Sequence, residues 1–174
     1  MRARVLSEDA ACSALGIPVH LHKGDRATDD NFPGEEVLYR RFKSSTPNIT
    51  QTFDFKEMSV NRAQFCEGPA DVLIDHEDGS AYDGFGVVTV SVVDLIGRWD
   101  HPQVTGRQFC VEMEHTPYPC NYAHADAVSY KLEGGKKVRE KLAQPLKLIA
   151  RKKLLGLVKI ELPTSQAGDC LPHG

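Results

Sequence analysis

Residues 87–93 read VVTVSVV. A run this rich in β-branched side chains is stiff at χ1 and packs on a pleated surface, so it predicts a strand. Being apolar on both faces, it predicts a central one. The rest of the chain must therefore supply partners for both its edges.

Candidates are present on either side. Residues 36–43, EVLYRRFK, alternate, with Leu38, Arg40 and Phe42 on one face. In 49–55, ITQTFDF, the residues Ile49, Phe53 and Phe55 share a face, a half-buried strand pattern. Further strands are predicted at 108–114, QFCVEME, at 122–132, YAHADAVSYKL, and at 157–162, LVKIEL. Lys56 to Gly68 reads as irregular, with Pro69 opening a short helical turn. Gly97 to Gly106 reads as a loop. Near the end, Val138, Leu142, Leu146 and Ile149 recur at helical spacing. Pro145 falls among them and predicts a kink or a restart.

These elements predict an α+β domain: a mainly antiparallel sheet, or a small half-open barrel, of about six strands with one long or kinked C-terminal helix. The expected boundaries are a loosely attached arm over 1–33, the domain over 34–163 and a polar tail over 164–174. A length of 174 residues suits one such domain. No apolar run approaches ~20 residues, so no membrane-spanning helix is expected. Five cysteines without a C-x-x-C pair predict reduced thiols and a cytoplasmic protein. Glu8 and Asp9 interrupt the apolar stretch that a signal peptide needs.

The densest set of reactive side chains lies in Cys110 to Asp126. Alternation puts Phe109, Val111 and Met113 on one face of the first strand and Ala123, Ala125 and Ala127 on one face of the second. Large facing small makes a sensible core. Cys110, Glu112, Glu114, Tyr122, His124 and Asp126 then share the other face. Because strand side chains alternate, only an even register sum keeps polar against polar. A sum of about 236 would set Glu112 opposite His124. A carboxylate beside a histidine raises its pKa and orients its ring, as general acid–base catalysis requires. His115, His124, Glu112 and Asn121 are thus the candidate catalytic residues, with the two histidines as acid and base. Glu112, His124 and Asp126 form an alternative hard-ligand set for a divalent metal. A solvated polar face on a hairpin explains the same residues with no site at all. Cys120 as a nucleophile needs a lowered pKa and a histidine base; a structural thiol is the simpler reading. No phosphate loop or dinucleotide motif is present, so no organic cofactor is expected.

Charge is segregated along the chain. The net of −3 conceals −9 over residues 1–130 and +8 over 131–159. On a helical projection Lys136, Lys147 and Arg151 lie opposite the apolar stripe, giving a basic outer face. With Arg62, these are the candidate anion-binding residues. Such a face suits an acidic protein or a nucleic-acid backbone, or it neutralises the acidic body. The spacing of Arg41-Phe42, Ser59-Val60-Asn61-Arg62 and His115-x-Pro117-x-x-x-Asn121-x-x-His124 resembles that of short bacterial proteins without an assigned activity, and implies none.

Two functions follow as expectations. The first is an interaction or regulatory module that uses segregated charge to bind a macromolecule, most plainly a protein. The second is a hydrolase, of the phosphodiester-cleaving kind, with its histidine or metal site on the hairpin. The second requires His115, His124, Glu112 and Arg62 to meet in one cleft.

Overall fold

A computed structural model of the chain describes residues 7–46 and 48–164. Eight strands form one antiparallel sheet: β1 (Val37–Lys43), β2 (Glu57–Arg62), β3 (Phe85–Ser91), β4 (Gly97–Asp100), β5 (Arg107–His115), β6 (His124–Glu133), β7 (Lys136–Arg139) and β8 (Lys159–Leu162). Their order is β4-β5-β6-β2-β1-β3-β8, and β7 pairs with the far half of β6. The sheet curls into a half-open barrel. Helices α1 (Glu8–Ala14), α2 (Val92–Leu95) and α3 (Gln144–Leu154) complete an α+β fold.

The valine-rich strand β3 is flanked as its composition demands. It pairs along its whole length with β1 on one side and, over residues 87–89, with β8 on the other. Phe109 and Val111 of β5 face the core, as do Ala125 and Ala127 of β6. Ala127 lies between Met113 of β5 and Met58 of β2, so its small side chain leaves room for two large ones. Leu146, Ala150 and Leu154 of α3, with Leu142 just before it, close this face. Each buried leucine contributes about 1.5–3 kcal/mol relative to exposure.

Several local expectations are corrected. Residues 49–52 form a 3-10 turn rather than a strand, although Phe53 and Phe55 are buried as the alternation required. Residues 57–62 are strand β2, not irregular chain. Gly97–Asp100 is strand β4 rather than loop. The segment 136–139 is strand, so the helix begins only at Gln144, with Pro145 in its first turn, where the missing N–H costs nothing. A Gly134-Gly135 turn, both residues at positive φ (57° and 76°), folds β7 back on β6.

Residues 7–33 are not a loose arm. Cys12, Ile17 and Leu21 pack against Ala123 in a second small core, bordered by Phe65, Cys66, Ile74 and Cys120. Cys12 and Cys120 form a disulfide across 108 positions, where reduced thiols were expected. Even cysteine spacing along the sequence is not needed for a pair that tertiary folding brings together. Burial pushes the neighbouring Cys66 thiol up to about 12. The expected polar tail lies almost wholly outside the described residues.

Candidate functional site

The β5–β6 hairpin sets the site geometry. Its register sum is even, as alternation demands, but the pairs run Met113↔Ala127, Glu114↔Asp126 and His115↔Ala125, a slip of four from the expected sum. The cause is a tight turn at Pro119-Cys120. Tyr118 N donates to Asn121 O and Asn121 N to Tyr118 O, both at 3.1 Å. The turn centre moves two residues toward the C-terminus, and Glu112 moves away from His124.

The four proposed catalytic residues do not meet. Glu112 lies opposite Val128 and binds the Lys137 ammonium at 2.5 Å. That hydrogen bond holds Glu112 below the usual carboxylate range. His115 is buried on the opposite face of the hairpin from His124. Its Nε2 donates to Tyr122 O at 2.7 Å and its Nδ1 accepts from Asp29 N at 2.8 Å. With both ring nitrogens engaged, His115 fastens the N-terminal segment to the hairpin and has no proton to move. Arg62 is fully buried, with Nε and Nη2 on the two carboxylate oxygens of Glu36 at 2.7 and 2.8 Å. It also donates to Asn31 O at 2.5 Å and to Asp29 O. It lies between the rings of Phe32 and Phe65. This is a structural anchor, not an anion receptor. The metal grouping fails as well. Among the described residues no three His, Cys, Asp or Glu side chains come together as a metal site, and Glu112 is committed to Lys137.

A different cluster forms around His124. Strand β2 pairs with β1 only at Leu38↔Arg62 and Tyr39↔Asn61, after which the two strands part. Arg40 spans the gap, donating from Nε to Thr52 O (2.8 Å) and from Nη1 to Ser59 O (2.5 Å). Strand pairing brings Asn61 and Ser59 alongside His124 and Asp126. The Asn121 amide donates to Asn61 Oδ1 at 2.9 Å. A concavity of about 80 Å³ opens where the strands diverge, walled also by Arg41, His76 and Tyr118.

His124 is oriented by its surroundings. Its Nδ1–H donates to Thr116 O at 2.8 Å, while the Thr116 hydroxyl donates to Asp126 Oδ2 at 2.7 Å. Thr116 thus occupies the orienting place expected for Glu112. Burial holds the His124 pKa below the ordinary histidine value, more strongly than the Thr116 hydrogen bond and the Asp126 charge raise it. The ring is therefore neutral at pH 7. Its Nε2 lies 3.8 Å from Asp126 Oδ1, too far for a hydrogen bond. Sequence reasoning found His124 and Asn121 but not His76, which stacks on Tyr118 with ring centroids 4.3 Å apart and planes within 9°. His76 sits in the polar turn segment Asp75-His76-Glu77-Asp78-Gly79, which carries no periodic signal.

The basic segment divides in two. On β7, Lys137 pairs with Glu112, and Arg139 with Glu114 and Glu57, so these cations neutralise the acidic body. Lys136, by contrast, is exposed at the tip of the β6–β7 turn. On α3, the buried stripe is Leu146, Lys147, Ala150 and Leu154, rotated from the expected one, and Ile149 is exposed. Arg151 donates to Phe53 O at 2.8 Å and to Gln51 O at 3.2 Å, tying the helix to the 49–53 turn. Neither Lys147 nor Arg151 lies on a free basic face.

Burial lowers the Lys147 pKa, and the nearby Lys141 and Arg151 add to the effect. Its folded pKa lies below the unfolded ~10.4, so the folded chain binds fewer protons there. The contribution of Lys147 to stability should rise as pH climbs through its folded pKa toward ~10.4, against the fall that the raised Cys66 pKa imposes in the alkaline range. Lys147→Met should abolish that rise and raise stability at pH 7 by about 1 kcal/mol. Urea titrations at a series of alkaline pH values test this, and an unchanged pH slope in the variant would refute it.

Among the described residues no helix is long and apolar enough to cross a membrane. In comparisons with known proteins, no family model, no curated protein and no solved structure matches the chain.

Proposed function

We propose that the protein is an interaction module whose α3–β8 face docks an acidic partner protein. One observation carries this reading. Leu148, Ile149, Leu155, Leu157 and Ile160 are all exposed, at 41–58%. They are interleaved with Lys152, Lys153 and Lys159, none of which has a carboxylate partner among the described residues. Exposed aliphatic side chains this close together in the sequence are candidates for an interaction surface. Lysines among them without a carboxylate partner select a partner of opposite charge and speed its approach. Among the described residues, strand β8 is also a sheet edge with unpaired backbone groups. The Cys12–Cys120 bridge favours an oxidising compartment over the reducing cytosol.

A photo-crosslinking side chain at Leu148, introduced in the cells that make the protein, tests the reading. The expected product is a single acidic protein, captured less as salt is raised. Capture should disappear when Lys152 and Lys159 are replaced by Glu, with the melting temperature unchanged. Crosslinks only to residues 165–174 of the same chain, or to a second copy, would overturn the proposal. So would adsorption to anionic vesicles without a captured protein, or capture indifferent to the lysine replacements.

A further inference from the structure

The concavity beside His124 has a charge that its surroundings do not predict. Residues 1–130 carry a net of −9. Yet the hollow is walled by Arg40, Arg41, His76 and His124, with Asn61 and Asn121, and no carboxylate among the described residues lines it. Its volume of about 80 Å³ is far below the roughly 300–1,000 Å³ of sites for organic ligands and cofactors. The occupant that fits is small, anionic and rich in hydrogen-bond acceptors.

The donors are in place. Arg40 is consumed by the backbone carbonyls it bridges. The guanidinium carbon of Arg41 lies 3.7 Å from the Tyr82 ring centroid, and Arg41 donates to Val72 O at 3.4 Å, a single backbone bond that leaves other N–H groups for a ligand. Asp126, the acid nearest His124, has its oxygens engaged by the hydroxyls of Thr116 and Ser59, at 2.7 and 3.4 Å. His124 supplies the selective element. With Nδ1–H fixed on Thr116 O, the neutral ring presents Nε2 as an acceptor, and Nε2 has no partner among the described residues. Asp54 Oδ1 is the one fully buried side-chain oxygen or nitrogen left unpaired among them, so Nε2 keeps contact with the open hollow.

We propose that this hollow binds inorganic phosphate, with Arg41 meeting its charge and the ligand's own O–H donating to Nε2 of His124. An acceptor at the centre of a cationic site separates tetrahedral oxyanions by their protons. Inorganic phosphate keeps at least one O–H at neutral pH. Sulfate has none, and a phosphomonoester, with a second pKa of about 6, has mostly lost its own. The groups that face His124 are Asp126 from its own strand, His76, Arg41 and the Tyr118 ring. Protonation of His124 turns Nε2 into a donor and removes the selectivity, so the preference for phosphate is greatest above the His124 pKa.

Histidine-selective NMR of the intact protein at constant ionic strength tests this, with phosphate, sulfate and phenyl phosphate as probes. At pH 7.5 phosphate should shift the His124 ring signals saturably, about tenfold more tightly than either other anion. The gap between phosphate and sulfate should narrow as pH falls. Arg41→Gln should weaken all three anions and keep their ranking, whereas His124→Gln should level them. Equal binding of phosphate and sulfate at pH 7.5, or no saturable shift of His124, would overturn the proposal. The wild-type pH series decides the matter even if His124→Gln does not fold. Phenyl phosphate binding as tightly as inorganic phosphate at pH 7.5 would overturn the assignment to the free ion.

Discussion

Replacing Arg62 with Met is expected to lower the free energy of unfolding by about 3–5 kcal/mol, a large share of the stability of a domain this size. The guanidinium is fully buried, and the Glu36 carboxylate it grips is only 5% exposed. Removing one partner leaves the other charge buried and uncompensated, and the carbonyls of Asp29 and Asn31 lose their donor at the same time. The loss should be coupled to Glu36. Adding Glu36→Leu to Arg62→Met should recover part of it, because an apolar pair carries no desolvation cost. Urea unfolding of both singles and the double gives the coupling directly. A single-variant loss under about 1 kcal/mol, or strict additivity, would show that Arg62 is not the anchor described.

Opening the Cys12–Cys120 bridge should cost a similar amount. A bond across 108 positions removes much of the unfolded chain's freedom, and the loop-entropy relation gives about 4–5 kcal/mol for a loop of this length. Cys12→Ser with Cys120→Ser should therefore lower the denaturation midpoint, and reductant should have no further effect on that variant. Wild-type protein should lose the same stability on reduction and gain two titratable thiols. Native hydrogen exchange should then quicken first in residues 7–33, whose small core the bond closes. If reductant leaves the wild-type transition unmoved, the bond adds no stability.

The periodic elements were legible because their patterns follow burial. Strands β1, β5, β6 and β8 and the core-facing alanines 123, 125 and 127 follow from alternation, and the central β3 from its unbroken β-branched run. Strand β2 escaped because its inward residues are Met58, Val60 and Arg62, and a buried arginine breaks an apolar pattern. Strand β7 was mistaken for helix because Lys, Val and Arg fit either period over four residues. What marked it was the Gly134-Gly135 turn. At the site, His124, Asn121 and Asp126 were found in sequence, but their meeting with Arg41, His76 and Asn61 was not. The register depended on where the Pro119-Cys120 turn closed, and alternation fixes only its parity. Arg41, His76 and Asn61 come from three separate segments, and no local pattern joins them. The disulfide was invisible for the same reason.

Cys66, in the small core beside that bridge, gives the bond a kinetic lifetime as well as an energy. Thiol–disulfide exchange proceeds through the thiolate, so a free cysteine packed in the same cluster is the natural attacker of the Cys12–Cys120 bond. With its pKa pushed up to about 12, the thiolate makes up only ~10⁻⁵ of Cys66 at pH 7. The hydrophobic packing that holds residues 7–33 to the hairpin therefore also suppresses scrambling. The pairing of Cys12 with Cys120 persists for as long as that packing stays closed.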